Sequence, residues 1–339
     1  MHDSGDLFTD FIRHYGDAHP PCMRYRDGED IADWQARFRT KIAELLGPVP
    51  ARVAPEVDVI ETVSAPEHTR YSLRIRVNEF SRLPAQLLVP HGLAVNEQRA
   101  GLIACHGHDR YGVDSICGVR PEEEPRVAYA LAAVRAGYVV LAPGWWGWPG
   151  RDGHLGLVGA GDRCNTVQNA AGMYGLNILA LHIQDGQAAL DVLTARPEVD
   201  STRIGCLGNS YGGRMTMWLS IVDPRIRACV PAGCLNCFRE RSMKLSSCGI
   251  QYPYGLLRYG DVPELFSLIA PRPMQLQAGA LDPLITPADR DAIVDRVRCA
   301  YRLRSAESAL DYVLHGEGHV LMWEKAAPFL TQHLGPDCS

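Results

Sequence analysis

The sequence predicts an α/β fold in which helices cover both faces of a doubly wound, mostly parallel sheet. Loops and segments of helical periodicity alternate with six short apolar runs, and such runs suit strands buried on both faces. The runs occupy residues 102–105, 138–142, 204–207, 226–230, 274–278 and 312–314. This alternation predicts parallel strands joined by right-handed crossovers.

Two amphipathic helices are predicted to precede the sheet. The apolar face of the first helix contains Phe8, Phe11, Ile12 and Tyr15. The apolar face of the second helix contains Ile31, Trp34, Phe38, Ile42 and Leu45. From residue 57 to residue 89 the pattern changes to alternation, which is typical of antiparallel strands with one solvated face. We therefore expect an N-terminal helical extension at residues 1–56 and a meander that leads into the main sheet.

Three later helices are expected between the buried strands. Their apolar stripes are Leu176, Leu179, Ile183, Leu190 and Leu193, then Met215, Trp218, Leu219 and Val222, then Ile293, Val294, Val297 and Tyr301. Thr286-Pro287-Ala288-Asp289 is a good start signal for the third, with threonine as the cap and proline in the first turn. Residues 143–172 and 233–260 lack clear periodicity, and we expect them to be lid-like insertions.

Charge and cysteine content exclude several classes of protein. Lys and Arg total 34 against 39 Asp and Glu, which gives a formal net charge of −5 without a basic stripe, so nucleic acid is an unexpected partner. The first residues are acidic and no apolar stretch of about 20 residues follows, so we expect a cytoplasmic protein without a membrane segment.

The eleven cysteines are odd in number, and several lie in apolar runs, which favours buried thiols over a disulfide framework. The sequence does not indicate an oligomeric state.

The segment Gly208-Asn209-Ser210-Tyr211-Gly212-Gly213 lies between a buried strand and a helix. A sharp strand-to-helix turn forces its central residue into a strained conformation, and flanking glycines let the neighbouring backbone approach. Such a turn is a nucleophile elbow, and it would expose the Ser210 hydroxyl at the carboxyl edge of the sheet. The pattern predicts Ser210 as a nucleophile.

A serine nucleophile needs a general base and an acid that orients it. Later strands are followed by Asp282 and by His319, in the chain order that this kind of fold requires. We predict Asp282 as the acid and His319 as the base, with His315 as the competing base and Glu240 as the competing acid. Because these residues must converge with Ser210, residues 57–339 are expected to form one domain.

Two backbone N–H groups are needed to stabilise a tetrahedral oxyanion. Tyr211, directly after the nucleophile, is predicted to supply one. The strand that ends at Cys105 opens into His106-Gly107-His108-Asp109, and the second N–H is expected from His108, with an uncertainty of one residue.

The sequence leaves two interpretations open for each candidate substrate contact and does not complete a metal site. Trp145 and Trp146, with Trp148, either line a substrate pocket or anchor a long loop, and Arg214 either binds an anionic substrate or forms a surface ion pair. The Cys234/Cys237 pair has only Cys248 nearby as a further cysteine, and the histidines around residue 107 lack a matching cluster. No metal site and no cofactor are therefore predicted.

These motifs resemble the α/β-hydrolase superfamily, and in particular its branch of dienelactone hydrolases and acetyl xylan esterases. The resemblance covers roughly residues 60–333 and rests on the His-Gly loop at His106, the elbow at Ser210 and the Ala-Gly-x-x-Asp motif that ends at Asp282. It implies an eight-stranded sheet and a serine-dependent hydrolase of carboxylic esters that needs no cofactor. Dienelactone hydrolases proper use cysteine where Ser210 stands, which makes a dienelactone substrate doubtful.

The expected function is hydrolysis of a small-molecule ester, with a small acyl group such as acetyl, through an acyl-enzyme. Two alternatives stay open at this point. A tailoring lyase on the same fold would eliminate the acyl group as a carboxylate and leave an alkene. A ligand-binding protein would keep the fold without catalysis, although the presence of Ser210, Asp282 and His319 argues against it.

Overall fold

The computed structural model describes residues 7–26, 28–120, 125–148, 150–151, 163–244 and 248–335. Its centre is a nine-stranded sheet, and the strands lie in the order β1-β2-β3-β5-β4-β6-β7-β8-β9. The strands are β1 (Val57–Ser64), β2 (His68–Arg76), β3 (Arg82–Pro90), β4 (Arg99–Cys105), β5 (Val139–Pro143), β6 (Val199–Asn209), β7 (Ile226–Ala232), β8 (Met274–Gly279) and β9 (Leu310–His315).

The sheet has an antiparallel part and a parallel part. β1, β2, β3 and β5 pair antiparallel in succession, and every pair from β5 through β4 to β9 is parallel. The six predicted runs fall in strands, except that Tyr138 lies one residue before β5, and the predicted meander is formed by β1, β2 and β3. The run at residues 312–314 is not buried as predicted, because it belongs to the edge strand β9, where Leu314 is 46% exposed. The sheet therefore has one strand more than the eight that the resemblance implies.

Helices cover both faces of the sheet. Their bounds are α1 (Phe8–Ala18), α2 (Ile31–Leu46), α3 (Val113–Ile116), α4 (Tyr129–Arg135), α5 (Arg163–Gly172), α6 (Ile178–Thr194), α7 (Tyr211–Val222), α8 (Phe238–Met243), α9 (Val262–Ser267), α10 (Pro287–Leu303) and α11 (Trp323–Leu334). The Thr286 hydroxyl caps α10 by accepting a hydrogen bond from the Asp289 N–H, as the sequence predicts.

The alternation of side chains along each central strand divides the core into two parts. In β4, Ile103 and Cys105 contribute to the core beneath α6, α7 and α10, whereas Leu102 and Ala104 contribute to the core beneath α4 and α11. Because both faces of the strand are covered, alternate residues are equally apolar. This explains why β4 appears in the sequence as an unbroken hydrophobic run.

The two N-terminal helices differ in how they pack. Trp34, Phe38 and Ile42 of α2 belong to the main core, and the Gln35 amide donates hydrogen bonds to the carbonyls of Ser267 and Ala270. α1 forms as predicted, yet it contributes no buried residue. The N-terminal extension is thus joined to the main core through α2. In the described part of the chain, no helix combines the length and the apolar character that crossing a membrane requires.

Candidate active site

The turn between β6 and α7 holds Ser210 in a strained backbone conformation. Ser210 has φ 61° and ψ −122°, in a region that residues with a side chain rarely adopt. The glycines on either side are required by close packing: a Cβ on Gly208 would lie 2.5 Å from the carbonyl oxygen of Cys105, and one on Gly212 would lie 1.9 Å from it. β4 and the start of α7 are therefore packed backbone against backbone around the serine.

Helix α7 begins directly at this turn. The first N–H groups of a helix have no partner within it, so the Tyr211 N–H is available where Ser210 emerges. On the other side, a Cβ on Gly107 would lie 3.1 Å from the Ser210 Cβ, which places the loop after β4 against the serine. The Gly107 N–H donates to Asp109 at 2.9 Å, whereas the His108 N–H has no partner among the described residues.

The structure brings Asp282 and His319 together. His319 Nδ1 donates a 2.6 Å hydrogen bond to the buried carboxylate of Asp282, whose other oxygen accepts from the Leu284 N–H at 2.9 Å. With Nδ1 as the donor, Nε2 of neutral His319 is an acceptor. This nitrogen is buried and has no hydrogen-bond partner in the described part of the chain.

The imidazole and the serine meet at Gly233. A Cβ on this glycine would lie 3.1 Å from His319 Cε1 and 3.2 Å from the Ser210 nitrogen. The Asn209 amide also donates to the His319 carbonyl at 3.2 Å, which ties the elbow to the histidine loop. Ser210 and His319 line the same cavity of about 780 Å³, although their side chains are not hydrogen-bonded to each other. Such bonds are often absent in an unliganded site.

The competing acid and base lie elsewhere. His315 is buried, it accepts a hydrogen bond from the Glu317 N–H at 3.3 Å, and burial lowers its pKa. Glu240 lies on α8 and faces Lys244 at 3.9 Å. Neither residue lines the cavity that contains Ser210. The geometry therefore favours the pair Asp282 and His319.

The tryptophan loop differs from the expectation. Trp145 is completely buried in the core and, like Trp146, does not line the cavity, whereas Trp148 does. The Trp148 ring stacks on the Tyr211 ring with centroids 5.3 Å apart. Trp145 and Trp146 thus anchor the loop, and Trp148 is the tryptophan that faces the site.

Two buried histidines explain this arrangement. The Trp145 N–H donates to His106 Nε2 at 3.2 Å, and the Trp146 N–H donates to His182 Nε2 at 2.8 Å. With its Nε2 accepting, neutral His182 carries its proton on Nδ1 and donates it to the Tyr211 hydroxyl, which in turn donates to the Ile250 carbonyl at 3.3 Å. The chain of hydrogen bonds fixes both the loop and the residue after Ser210.

Burial keeps both histidines neutral and predicts a loss of stability in acid. Burial lowers the pKa of His106 to about 3 and holds the pKa of His182 well below its ordinary value. Between pH 6.5 and 3 the unfolded chain binds a proton at His106 that the folded chain does not, so the free energy of unfolding falls as pH falls. For His106 alone this linkage amounts to about 2 kcal/mol between pH 7 and pH 5.

Denaturant unfolding at these two pH values measures the effect. His106→Gln keeps an acceptor but removes the titrating ring, so its stability should change with pH by about 2 kcal/mol less than that of the native chain. His91→Gln, at an exposed position, should preserve the native pH dependence. Equal pH dependence in the native chain and His106→Gln would contradict a neutral, buried His106.

Arg214 lies at the cavity and is almost completely buried, with an exposed fraction of 1%. Its Nη2 donates to the carbonyl and to the side-chain oxygen of Asn236, and its guanidinium lies 4.5 Å from the centre of the Phe238 ring. Among the described residues, Nη1 is buried without a hydrogen-bond partner and Arg214 forms no ion pair within 4.0 Å, although Asp261 acts on it electrostatically from farther away. Burial lowers the pKa of Arg214. The surface ion pair considered from the sequence is therefore not formed.

A group of three side chains at the cavity was missed by the sequence analysis. The ligand atoms of His108, Cys164 and Cys248 all lie within 4.8 Å of one another. A hydrogen bond with Cys164, and then the nearby His108, lower the pKa of the Cys248 thiol to about 5. Intervals of 56 and 84 residues separate the three along the chain, so no spacing rule could have found them.

Comparison with known proteins gives a family match and a relative across most of the chain. Residues 113–243 match the dienelactone hydrolase family. A protein of Bacillus subtilis (strain 168) that carries the provisional name hydrolase YtaP is 27% identical over 312 residues, which cover 88% of this chain and 100% of the relative.

Solved structures share the architecture at low sequence identity. A protein from Bacteroides fragilis NCTC 9343, provisionally assigned as an acetyl xylan esterase, has a TM-score of 0.78 and 16% identity over 96% of this chain and 95% of its own. Glucuronoyl esterase from Solibacter usitatus has a TM-score of 0.69 and 14% identity over 93% and 97%. Acetyl xylan esterase 1 from Thermoanaerobacterium sp. JW/SL YS485 has a TM-score of 0.59 and 19% identity over 97% and 99%. The chain thus has the α/β-hydrolase fold of these esterases, and its residues 113–243 are similar to the dienelactone hydrolase family, as the resemblance implies.

Proposed function

We propose that the protein is a serine-dependent carboxylic ester hydrolase with Ser210, His319 and Asp282 as its triad. The observation that carries this proposal is the His319 imidazole, which is bonded through Nδ1 to a buried Asp282 and lines the cavity of Ser210. Its Nε2 has no hydrogen-bond partner among the residues that the structure describes. An imidazole oriented in this way can accept the proton of a serine hydroxyl. The hydrolase family match supports the same reaction class.

The mechanism has two acyl-transfer steps. His319 takes the Ser210 proton as the hydroxyl oxygen attacks the ester carbonyl, and the imidazolium then protonates the leaving alcohol. The resulting acyl-enzyme is hydrolysed by a water molecule that His319 deprotonates. Asp282 holds the imidazole in the required tautomer and stabilises its charged form.

The Tyr211 N–H stabilises the oxyanion in both steps, and the His108 N–H is the second donor. The loop after β4 touches Ser210 at Gly107, and the N–H of that glycine is already bonded to Asp109. The next N–H along the loop, that of His108, is therefore the one free to donate. Two such donors lower the barrier more than any single donor does.

The acyl group is proposed to be small, such as acetyl. Two of the structurally similar proteins carry the name acetyl xylan esterase, which supports this assignment for the shared architecture. A panel of esters that differ in acyl length, with products identified by mass spectrometry, tests it. The expected products are a free acid and an alcohol, with acetate released fastest. An alkene product would instead establish elimination.

Labelling with a fluorophosphonate probe tests the nucleophile independently of the substrate. Serine hydrolases react with such probes because an activated hydroxyl attacks phosphorus. Mass spectrometry should locate the label on Ser210, and prior incubation with a turned-over ester should slow labelling. An unlabelled Ser210, together with unchanged esters, would refute the enzyme assignment.

We further propose that Arg214 binds an anionic group of the substrate. A buried guanidinium with no carboxylate at ion-pair distance among the described residues is costly, because Asp261 acts on Arg214 only from farther away. A substrate carboxylate at Nη1 would relieve that cost. Each hydrogen bond between charged groups contributes about 1.5–3 kcal/mol. The native enzyme should therefore prefer an acetyl ester that carries a carboxylate over its carboxamide analogue.

Paired kinetics on these two esters measure that preference. Arg214→Met should reduce the ratio of the two kcat/KM values by about 10–100-fold. Arg214→Lys keeps the charge and should retain part of the ratio, which guards against a variant that merely folds poorly. Arg39→Met, at a half-buried arginine outside the cavity, should leave the ratio unchanged. An unaltered ratio in Arg214→Met would remove Arg214 from recognition.

A further inference from the structure

Three side chains that bind soft metal ions converge on the wall of the catalytic cavity. His108 Nε2 lies 3.6 Å from Cys164 Sγ, and Cys248 Sγ completes a group whose atoms all lie within 4.8 Å of one another. All three residues line the cavity that contains Ser210. None of them is used by the proposed ester chemistry through its side chain.

The separation of His108 Nε2 and Cys164 Sγ fits the ligand geometry of zinc. Zn–S bonds of about 2.3 Å and Zn–N bonds of about 2.0–2.1 Å at tetrahedral angles place nitrogen and sulfur about 3.6 Å apart. The His108–Cys164 distance already has this value. Thiolate and imidazole ligands select zinc over magnesium or calcium, which prefer oxygen ligands.

We propose that His108, Cys164 and Cys248 form a binding site for a zinc-class divalent ion, with a fourth coordination position open to the cavity. Three protein ligands plus one exchangeable position is the arrangement of open zinc sites. When the ion binds, the thiols of Cys164 and Cys248 coordinate it as thiolates, and their protons are released to solvent. This site goes beyond the proposed ester hydrolysis, which requires no metal.

The surroundings of His108 hold its ring in place for binding. The ring packs against Trp148 and Tyr211, with centroid distances of 5.0 Å and 5.5 Å. Packing of this kind restricts the rotamers that the imidazole can adopt. The ligands also come from three separate segments: the loop after β4, the start of α5 and the segment that precedes α9. A bound ion would therefore join three parts of the cavity wall.

Cobalt substitution tests the site in the full-length protein. The protein is reduced, stripped of metal with a chelator and checked for free thiols before Co²⁺ is added. We expect thiolate-to-cobalt charge-transfer bands that saturate at one ion per chain and disappear when Zn²⁺ is added. Cys164→Ser and Cys248→Ser should each weaken Co²⁺ binding by at least about 10–100-fold, the cost of losing even an outer-shell partner.

Two controls separate this site from other cysteines and from the ester chemistry. Cys299→Ser, on α10 and outside the cavity, should bind Co²⁺ like the native chain. Ser210→Ala should do the same, so failure of the metal site and failure of the serine mechanism give different results. The proposal is overturned if the reduced native chain shows no thiolate band, or if Cys164→Ser and Cys248→Ser bind as tightly as the native chain. A Cys164–Cys248 disulfide in the isolated protein, with no cobalt band after its reduction, would assign the pair to redox chemistry instead.

Discussion

Ser210→Ala is expected to lower kcat for a simple acetyl ester by at least about 10⁴-fold without unfolding the protein. The substitution removes the hydroxyl oxygen that forms the acyl-enzyme in the proposed mechanism, while the strained backbone of the elbow is held by its neighbours. Removal of the nucleophile from a serine hydrolase typically lowers kcat by about 10⁴- to 10⁶-fold, and the remaining rate comes from the oxyanion donors and substrate binding. Steady-state kinetics with thermal unfolding as a check on folding measure this.

Matched variants test whether the loss of kcat is specific to the Ser210 hydroxyl and its proposed partners. Ser220→Ala changes another buried serine of α7 that does not line the cavity, and it should leave kcat unchanged. Asp282→Asn should lower kcat by about 10⁴-fold by disturbing the imidazole tautomer. Combining Asp282→Asn with Ser210→Ala should cost little more than Ser210→Ala alone, because triad members act as a unit. Activity of Ser210→Ala within tenfold of native would exclude Ser210 as the nucleophile.

The central strands were predictable from the sequence because burial on both faces leaves an unmistakable apolar run. β4 and β6 contribute to both parts of the core through apolar runs without polar alternation, whereas β8 contributes to one part only and alternates its apolar residues with the buried Gln275 and Gln277. α5 was not predicted, since only Cys164 and Gln168 among its side chains are buried and its periodicity is correspondingly weak. Short helices such as α8 are determined by tertiary contacts rather than by local pattern.

The candidate triad was predictable for a topological reason. Parallel strands place their carboxyl ends at one edge, so residues that follow β6, β8 and β9 converge whatever lies between them. No such rule applies to side chains in loops and on insertions. Trp148 rather than Trp145 faces the cavity because the tryptophan loop is held by two buried histidines. His106 and His182 accept hydrogen bonds from backbone N–H groups of this loop, and those contacts exist only in the folded chain.

The burial of the charged Arg214 side chain also could not be predicted from the sequence. A helical arginine usually reaches solvent, and nothing in the local sequence indicates that α7 lies between β6, β7 and the segment after β7. Its burial follows from tertiary packing, in which Asn236 and Phe238 surround the guanidinium. The functional meaning of such a residue is therefore visible only when its neighbours are known.

Gly212→Ala is expected to destabilise the protein by about 3 kcal/mol and to lower the unfolding temperature by about 4 °C. The added Cβ would lie 1.9 Å from the Cys105 carbonyl oxygen and 2.7 Å from the carbonyl carbon, and backbone cannot rotate out of the way as a side chain can. β4 and α7 must therefore move apart. Thermal and denaturant unfolding of the native chain and the variant measure the loss.

Activity should fall together with stability, because the same movement displaces the Tyr211 N–H and the loop that carries His108. A misplacement of about 1 Å at an active site costs about 100-fold in rate, so kcat should fall by that order below the unfolding temperature. Gly172→Ala is the matched control: it ends α5 and a Cβ there meets nothing within 4 Å, so stability and kcat should both stay near native. A Gly212→Ala variant with native kcat would mean that the close contact between β4 and α7 does not position the serine. A loss of kcat far larger than the loss of stability would instead mean that this contact acts mainly through the geometry of the oxyanion donors.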